Sequence, residues 1–275
     1  MRKGENAMDH LSSSQINLYL LCGLKYRFQY LDQLPKPFRS SALAFGSALH
    51  SALAWLHSER MKGAVPSLDQ LYRIFDADWY SQRIDTNILY KDGEEEMKLA
   101  MQGKEMLGMY FNEPSKPIKG SEIHFTVPLV KPTTGEHLGI NLEGYFDLVE
   151  ADDTIVEFKT SAQALTANDI KVHLQLTAYG YAYNLLHRRA PKGYRVVNFI
   201  KTKKPRLEMT ETARSEAHFD AFFHLAEQVL NGITKGIFIP RPGYWCKDCE
   251  YASECPLWKH KTDAVKVERL AEVIV

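Results

Sequence analysis

The chain has 275 residues, of which 45% are hydrophobic and 25% charged, so it can bury a sizeable core as one large domain. Its formal net charge is zero, which excludes a polyanionic partner attracted by overall charge alone. The longest apolar runs are far shorter than the roughly 20 residues of a membrane span, and the N-terminus lacks the apolar core of a signal peptide. We therefore expect a cytoplasmic protein with no membrane association and with reduced thiols.

The first part of the sequence predicts helices. Ser12-Ser13-Ser14 starts one over 15–31, and a second is expected over 41–62, where leucines with core spacing flank His50. A lone histidine there is either a buried structural residue or a ligand. Two further helices are expected over 67–83 and 93–112, as a helical insertion over about 67–112.

The pattern changes to period two from Glu122 onward, which predicts strands over 123–127 and 138–142. The stretch 144–161 then reads as two strands joined by a tight turn. A loop over 151–153 would place Glu150 opposite Thr154, and Asp147 opposite Glu157.

The faces of this predicted hairpin differ in chemistry. Asp147, Glu157 and Lys159 would share one face, while the other carries four apolar side chains, Phe146, Leu148, Val156 and Phe158. Two carboxylates and an ammonium suit a hard divalent cation with a bound water. The alternative is an ordinary charged sheet face with cross-strand pairs. Glu122 is a weaker candidate for the same cation.

The last part of the sequence returns to mixed structure. A helix is expected from a cap at Thr166 to about residue 187, with Gln175 and Tyr179 on one face. Strands at 195–201 and 207–210 precede a final helix over 214–235. Between the two strands lies a basic cluster that fits either a phosphate contact or a solvated hairpin tip: Lys201, Lys203, Lys204 and Arg206.

All four cysteines are candidates for one metal site. Cys246, Cys249 and Cys255 form Cys-x2-Cys-x5-Cys, which in a cytoplasmic protein points to metal more than to a disulfide. Three thiolates need a fourth ligand, either Cys22 or His260. Spacing alone leaves both zinc and an iron–sulfur cluster open.

Together these motifs resemble the RecB-like branch of the PD-(D/E)XK nuclease superfamily, and within it the iron–sulfur CRISPR-associated exonucleases and AddB-type nuclease domains. The segment 45–50 is similar to its Gly-x-x-x-His motif, 144–147 to Gly-x-x-Asp, 157–159 to Glu-x-Lys and 175–179 to Gln-x-x-x-Tyr. The match spans about residues 12–258. Gly23 stands where a proline is common in that family.

This resemblance implies a mixed α/β (α+β) fold, with a restriction-endonuclease-like core whose central mixed β-sheet is flanked by helices. The whole chain, 1–275, would be a single nuclease domain with an N-terminal helical region and the insertion at 67–112. A C-terminal cysteine segment over about 240–258 would close on Cys22.

The resemblance also implies residue roles. His50, Asp147, Glu157 and the carbonyl of Phe158 would bind one or two Mg²⁺ or Mn²⁺ ions. Lys159 would orient the attacking water or stabilise the transition state, and Gln175 with Tyr179 would position the DNA or the motif strand. A structural [4Fe–4S] cluster, with zinc less favoured, would be held by four residues: Cys22, Cys246, Cys249 and Cys255.

The implied activity is hydrolysis of DNA phosphodiester bonds by an exonuclease acting on single strands. It would serve DNA repair and recombination, CRISPR adaptation or phage DNA processing. Since the chain has no Gly-x-x-x-x-Gly-Lys loop, a helicase would be another chain, and a CRISPR adaptation protein is another expected partner. Two alternatives stay open: an inactive nucleic-acid-binding or assembly subunit, and a redox-responsive iron–sulfur regulator.

Overall fold

The computed structural model describes residues 8–257, and the elements below lie in that range. The helices are α1 (Ser13–Leu21), α2 (Gly23–Tyr26), α3 (Ser41–Met61), α4 (Leu68–Asp85), α5 (Glu96–Phe111), α6 (Ala167–Lys171), α7 (Leu174–His187) and α8 (Glu216–Thr234). The strands are β1 (His10–Leu11), β2 (Arg39–Ser40), β3 (Ile88–Leu89), β4 (Ile118–Val130), β5 (His137–Glu150), β6 (Thr154–Ser161), β7 (Gly193–Ile200) and β8 (Arg206–Thr212).

A six-stranded mixed sheet forms the centre of the fold, in the order β1-β5-β6-β7-β8 with β4 paired to β5. The pairs β6–β7 and β1–β5 are parallel, and the others are antiparallel. β5 pairs with β1 at Asn141 and Leu142 and with β6 at Leu148 and Val149. Between these two contacts, residues 143–146 pair with β4 alone, so the sheet is open along that part of β5.

Helices cover both faces of the sheet and bury two separate cores. The core against α1, α7 and α8 includes Val127, Phe146, Ile155, Val196 and Phe223. The core against α3, α4 and α5 includes Leu49, Leu53, Phe75, Phe158 and Phe199. This layered α/β architecture confirms the predicted fold class. No helix in the described range is long and apolar enough to cross a membrane.

The predicted helices of the insertion are confirmed. Ser67 caps α4, and its hydroxyl and the Gln70 side chain form the expected capping box. α3 spans almost the full predicted range, and its leucine face is fully buried. The division into a nuclease core and an insertion at 67–112 stays a prediction.

The prediction of one helix over 15–31 is wrong. The helix is interrupted at Cys22, whose backbone is extended with φ −161° and ψ 106°, and it continues as α2 and a π-helical turn over Arg27–Leu31. The apolar pattern runs through Cys22, so the sequence pattern alone does not show the interruption. The predicted helix over 166–187 is likewise divided at His173, which caps α7.

The interruption at Cys22 lies beneath the C-terminal segment. The Tyr19 hydroxyl donates to the carbonyl of Ile237 at 2.6 Å, and Lys25 Nζ lies 2.5 Å from a carboxylate oxygen of buried Glu250. Tyr251 packs edge-on against Phe28, with ring centroids 5.7 Å apart. The two ends of the described chain are therefore joined around the cysteines.

Substituting Gly23 tests this packing. A Cβ at Gly23 would lie 3.0 Å from the backbone nitrogen of Ile239, and backbone cannot move aside cheaply. We expect Gly23→Ala to lower the free energy of unfolding by about 1–3 kcal/mol, measured by urea denaturation. Gly193→Ala is the control, since a Cβ there meets nothing within 4 Å; equal stability of both variants would contradict the packing.

Candidate active site

His50 reaches the sheet because α3 lies close against β6. A Cβ on Gly46 would lie 3.3 Å from the hydroxyl of Thr160, so the glycine of the Gly-x-x-x-His motif permits this approach. One helical turn later, His50 Nε2 lies 3.0 Å from the carbonyl oxygen of Phe158. His50 is therefore half-buried and held by a backbone carbonyl, rather than enclosed in the core.

Asp147 and Glu157 lie where β5 and β6 separate. The pairs Leu148–Val156 and Val149–Ile155 fix the register, and extending it places Asp147 opposite Glu157. This agrees with the predicted loop over 151–153. Phe146 shares a core with Leu142, against α7 and α8, whereas Leu148 packs in the other core, so the alternation of β5 is interrupted between Phe146 and Leu148.

Side chains replace the missing strand at this opening. The Phe158 amide donates to Asp147 Oδ2 at 2.9 Å, and the Phe158 carbonyl accepts from His50 Nε2 when that nitrogen is protonated. His50 Nδ1 then lies 3.7 Å from the same Asp147 oxygen. His50 and Asp147 are thereby fixed relative to each other through one residue of β6.

A polar chain runs from β6 to α7 on the other side of the opening. Lys159 Nζ donates to Gln175 Oε1 at 2.7 Å, and Gln175 Nε2 donates to the hydroxyl of Tyr179 at 2.7 Å. The Tyr179 hydroxyl in turn lies 3.5 Å from Asp147 Oδ1. The structure therefore brings together the predicted residues of α3, β5, β6 and α7.

Ionisation of the two central carboxyl groups, those of Asp147 and Glu157, is energetically unfavourable. Glu157 is fully buried, and burial with the neighbouring Asp147 charge raises its pKa to about 7. Burial also raises the pKa of Asp147 to about 6. Lys159 Nζ lies 2.5 Å from Glu157 Oε1 as an ion pair, and buried Glu157 Oε2 has no hydrogen-bond partner among the described residues. Burial lowers the pKa of His50, which favours the neutral, ligating imidazole.

Glu122 belongs to this group more closely than the sequence indicated. The pairs Ser121–Leu148 and Ile123–Phe146 place it opposite Asp147, and its φ of 51° is left-handed. Ligand atoms of His50, Glu122 and Asp147 all lie within 4.8 Å of one another. In the sequence, the position of Glu122 just before a segment of period two was the only signal for this role. That position does not predict its left-handed backbone conformation.

This donor set fits a divalent cation. One imidazole nitrogen and two carboxylates converge from three elements, and Glu157 Oε2 has no hydrogen-bond partner among the described residues. Mg²⁺ and Mn²⁺ prefer carboxylate oxygens, and of these two ions Mn²⁺ accepts the imidazole ligand more readily because it is the softer transition-metal ion. The residues could hold one ion as placed.

The basic cluster does not join this site. Lys201 pairs with Glu94 at 3.0 Å and lies over the ring of Phe45, which fixes the insertion to β7. Lys203 and Lys204 are exposed. Within the described range, no hydrogen bond or ion pair connects the cluster to His50 or Asp147.

The four cysteines line one cavity of about 200 Å³. All are free thiols, and burial together with the other three cysteines raises the pKa of the Cys255 thiol. The Gly243 amide donates to Cys246 Sγ at 3.4 Å. His260, the alternative fourth ligand, lies outside the described residues.

Comparisons with known proteins identify the family of this chain. A family model described as the PD-(D/E)XK nuclease superfamily matches residues 10–256. A crystal structure described as "Putative exonuclease" from Eubacterium rectale matches with a TM-score of 0.53 and 13% identity, covering 91% of this chain and 93% of that one. A structure described as SSO0001 matches with 13% identity, covering 89% of this chain and 95% of that one. Its TM-score of 0.37 is too low to show a shared fold. A search of curated proteins finds no match.

The raised carboxyl pKa values predict a pH dependence for the metal-free protein. Between about pH 4 and pH 7 the folded chain holds protons on Asp147 and Glu157 that the unfolded chain has lost. The contribution of these two groups to the free energy of unfolding should therefore fall as pH rises through this window, by up to about 3 kcal/mol each, while buried His57 and His173, whose pKa values are lowered to about 4, contribute an opposite rise. Urea denaturation in a chelator at successive pH values measures it. Glu157→Gln removes its share of this decline, so its free energy of unfolding relative to the exposed control Glu136→Gln should increase between about pH 4 and pH 7. A difference between the two variants that stays constant with pH would contradict the burial of the Glu157 charge.

Proposed function

We propose that this chain, which belongs to the PD-(D/E)XK nuclease superfamily, hydrolyses DNA phosphodiester bonds with a divalent metal ion. The observation that carries the proposal is the convergence of His50, Glu122 and Asp147 within 4.8 Å, beside the buried Glu157–Lys159 pair. Superfamily membership supports nuclease activity. DNA as substrate and metal dependence are the steps that we add.

The proposed roles follow from the contacts. His50, Glu122 and Asp147 bind the cation, and Glu157 and the second lone pair of the Phe158 carbonyl are its further ligands. A bound divalent ion supplies Lewis acidity toward the phosphate and lowers the pKa of a water ligand.

The remaining residues hold the ammonium group of Lys159 in place. Lys159 is held between Glu157 and Gln175, so its ammonium stays directed into the opening, where it would stabilise charge on the phosphate oxygens. Tyr179 and Gln175 orient Lys159 and Asp147 rather than react.

We further propose exonucleolytic action on single strands. The structure described as "Putative exonuclease" from Eubacterium rectale has a similar fold, and at 13% identity that likeness concerns the fold alone. The motif resemblance supports the finer assignment, including a helicase or CRISPR adaptation partner on another chain. The basic cluster at the β7–β8 tip, away from the site, remains a proposed nucleic-acid contact through Lys203, Lys204 and Arg206.

The cysteine cavity is proposed to hold a [4Fe–4S] cluster rather than zinc. In a tetrahedral zinc site the sulfurs would lie about 3.8 Å apart. Within the described residues, no three of the cysteine sulfurs lie within 4.8 Å of one another. The wider spacing and the amide donor to Cys246 suit the larger cluster, which would fix the C-terminal segment to α2.

Removing one carboxylate tests the nuclease site. We expect Asp147→Asn to lower Mn²⁺-dependent degradation of labelled single-stranded DNA by about a thousandfold or more, because it removes a metal ligand. Asp152→Asn, in the exposed turn of the same hairpin, should retain activity. Equal degradation by the two variants would exclude the assignment, and no degradation by the wild type would favour an inactive binding subunit.

Metal analysis tests the cysteine site. Protein purified without oxygen should contain about four iron and four sulfide per chain, and Cys255→Ser should lose both and melt at a lower temperature. Ser253→Ala, an exposed neighbour, should retain them. One zinc per chain without iron would contradict the cluster.

A further inference from the structure

One face of the β4–β5 hairpin is open to solvent beside the proposed metal site. Strand alternation directs Phe125, Val127, Leu142 and Phe146 into the core. The opposite face of the same two strands carries six side chains that are exposed or half-buried: Glu122, His124, Thr126, Asn141, Glu143 and Tyr145.

An aromatic pair stands in the middle of this face. Tyr145 is 51% exposed, although large apolar rings are usually covered. It pairs across the strands with His124, and the two ring centroids are 4.8 Å apart. His124 Nε2 lies 3.0 Å from Glu143 Oε1, a contact that holds the imidazole in place. The ring of Tyr145, which packs against His124, is therefore open to solvent.

The aromatic pair is continuous with the cation ligands. Tyr145 is two residues from Asp147 on β5, and His124 is two residues from Glu122 on β4. Two strand residues span about 7 Å. Stacked nucleotides along one strand are about 3.4 Å apart. A nucleic-acid strand with one phosphate at the metal would thus have a base beside Tyr145 within about two nucleotides.

The charge of the face determines which part of the strand it contacts. None of its six side chains is Lys or Arg, and Glu122 and Glu143 are acidic. Apart from the phosphate at the metal, such a surface repels the backbone. An uncharged base with an open ring face suits it better.

We propose that Tyr145, supported by His124, stacks on an unpaired base within two nucleotides of the phosphate bound at the metal. Aromatic side chains that bind single strands stack in this way without reading sequence. A base inside a duplex already has its faces covered, so this contact would select single strands or frayed ends. The proposal rests on the proposed nuclease function and identifies its substrate as unpaired DNA.

Binding measured without metal separates the two proposals. The probe is fluorescently labelled oligodeoxythymidine of about twelve nucleotides, titrated in a chelator and followed by anisotropy. We expect Tyr145→Ala to weaken binding about tenfold, and Tyr145→Phe, which keeps the ring, less than about twofold. Tyr80→Ala is the matched control, because Tyr80 is an exposed tyrosine on α4 outside this face.

A second set of probes places one abasic nucleotide at each position in turn. Loss of the stacked base should weaken binding to the wild type at one position, and that penalty should vanish in Tyr145→Ala. Equal binding by Tyr145→Ala and Tyr80→Ala, or the same abasic penalty in wild type and Tyr145→Ala, would overturn the stacking proposal, as would absence of binding. An abasic penalty that disappears in Tyr145→Ala, found in a protein that shows no Mn²⁺-dependent hydrolysis, would support the stacking proposal and overturn the nuclease function.

Discussion

The backbone of Phe158 is the constraint on which the site depends. β5 leaves β6 after the Leu148–Val156 pair, so the amide and carbonyl of Phe158 lose their strand partner. Asp147 and His50 supply the replacement bonds. A buried backbone group left without a partner costs about 1–3 kcal/mol, so this opening in the sheet requires polar side chains at its two sides. Asp147 and His50, which complete the hydrogen bonding of Phe158, are therefore also the residues that face the opening.

The same hairpin contains carboxylates of two kinds. Asp153, at the turn, is surrounded by Lys119, Arg189 and the Tyr183 hydroxyl, which hold its pKa well below the ordinary range. Asp147 and Glu157 are buried with one ammonium between them, and their pKa values are raised. The first arrangement stabilises the fold. The second lowers stability near neutral pH unless a cation is bound, as expected where function is maintained at a cost in stability.

The sequence predicted what depends on local rules. Loop length at 151–153 fixed the Asp147–Glu157 register, and capping chemistry located α4. It did not predict features that depend on contacts distant in sequence. The extended backbone of Cys22 interrupts an unbroken apolar pattern beneath the C-terminal segment. Glu122 lies close to His50 and Asp147 in a left-handed conformation that its residue type does not indicate. Phe146, predicted to share an apolar face with Leu148, packs in the other core, at the point where β5 no longer pairs with β6.

The position of a bound ion tests the central claim most directly. A crystal grown with Mn²⁺ gives an anomalous difference map that locates the metal without any assay of activity. We expect one strong peak in this map within bonding distance of His50, Glu122 and Asp147, at the opening between β5 and β6. A peak elsewhere, or none at a Mn²⁺ concentration that supports DNA hydrolysis, would contradict it.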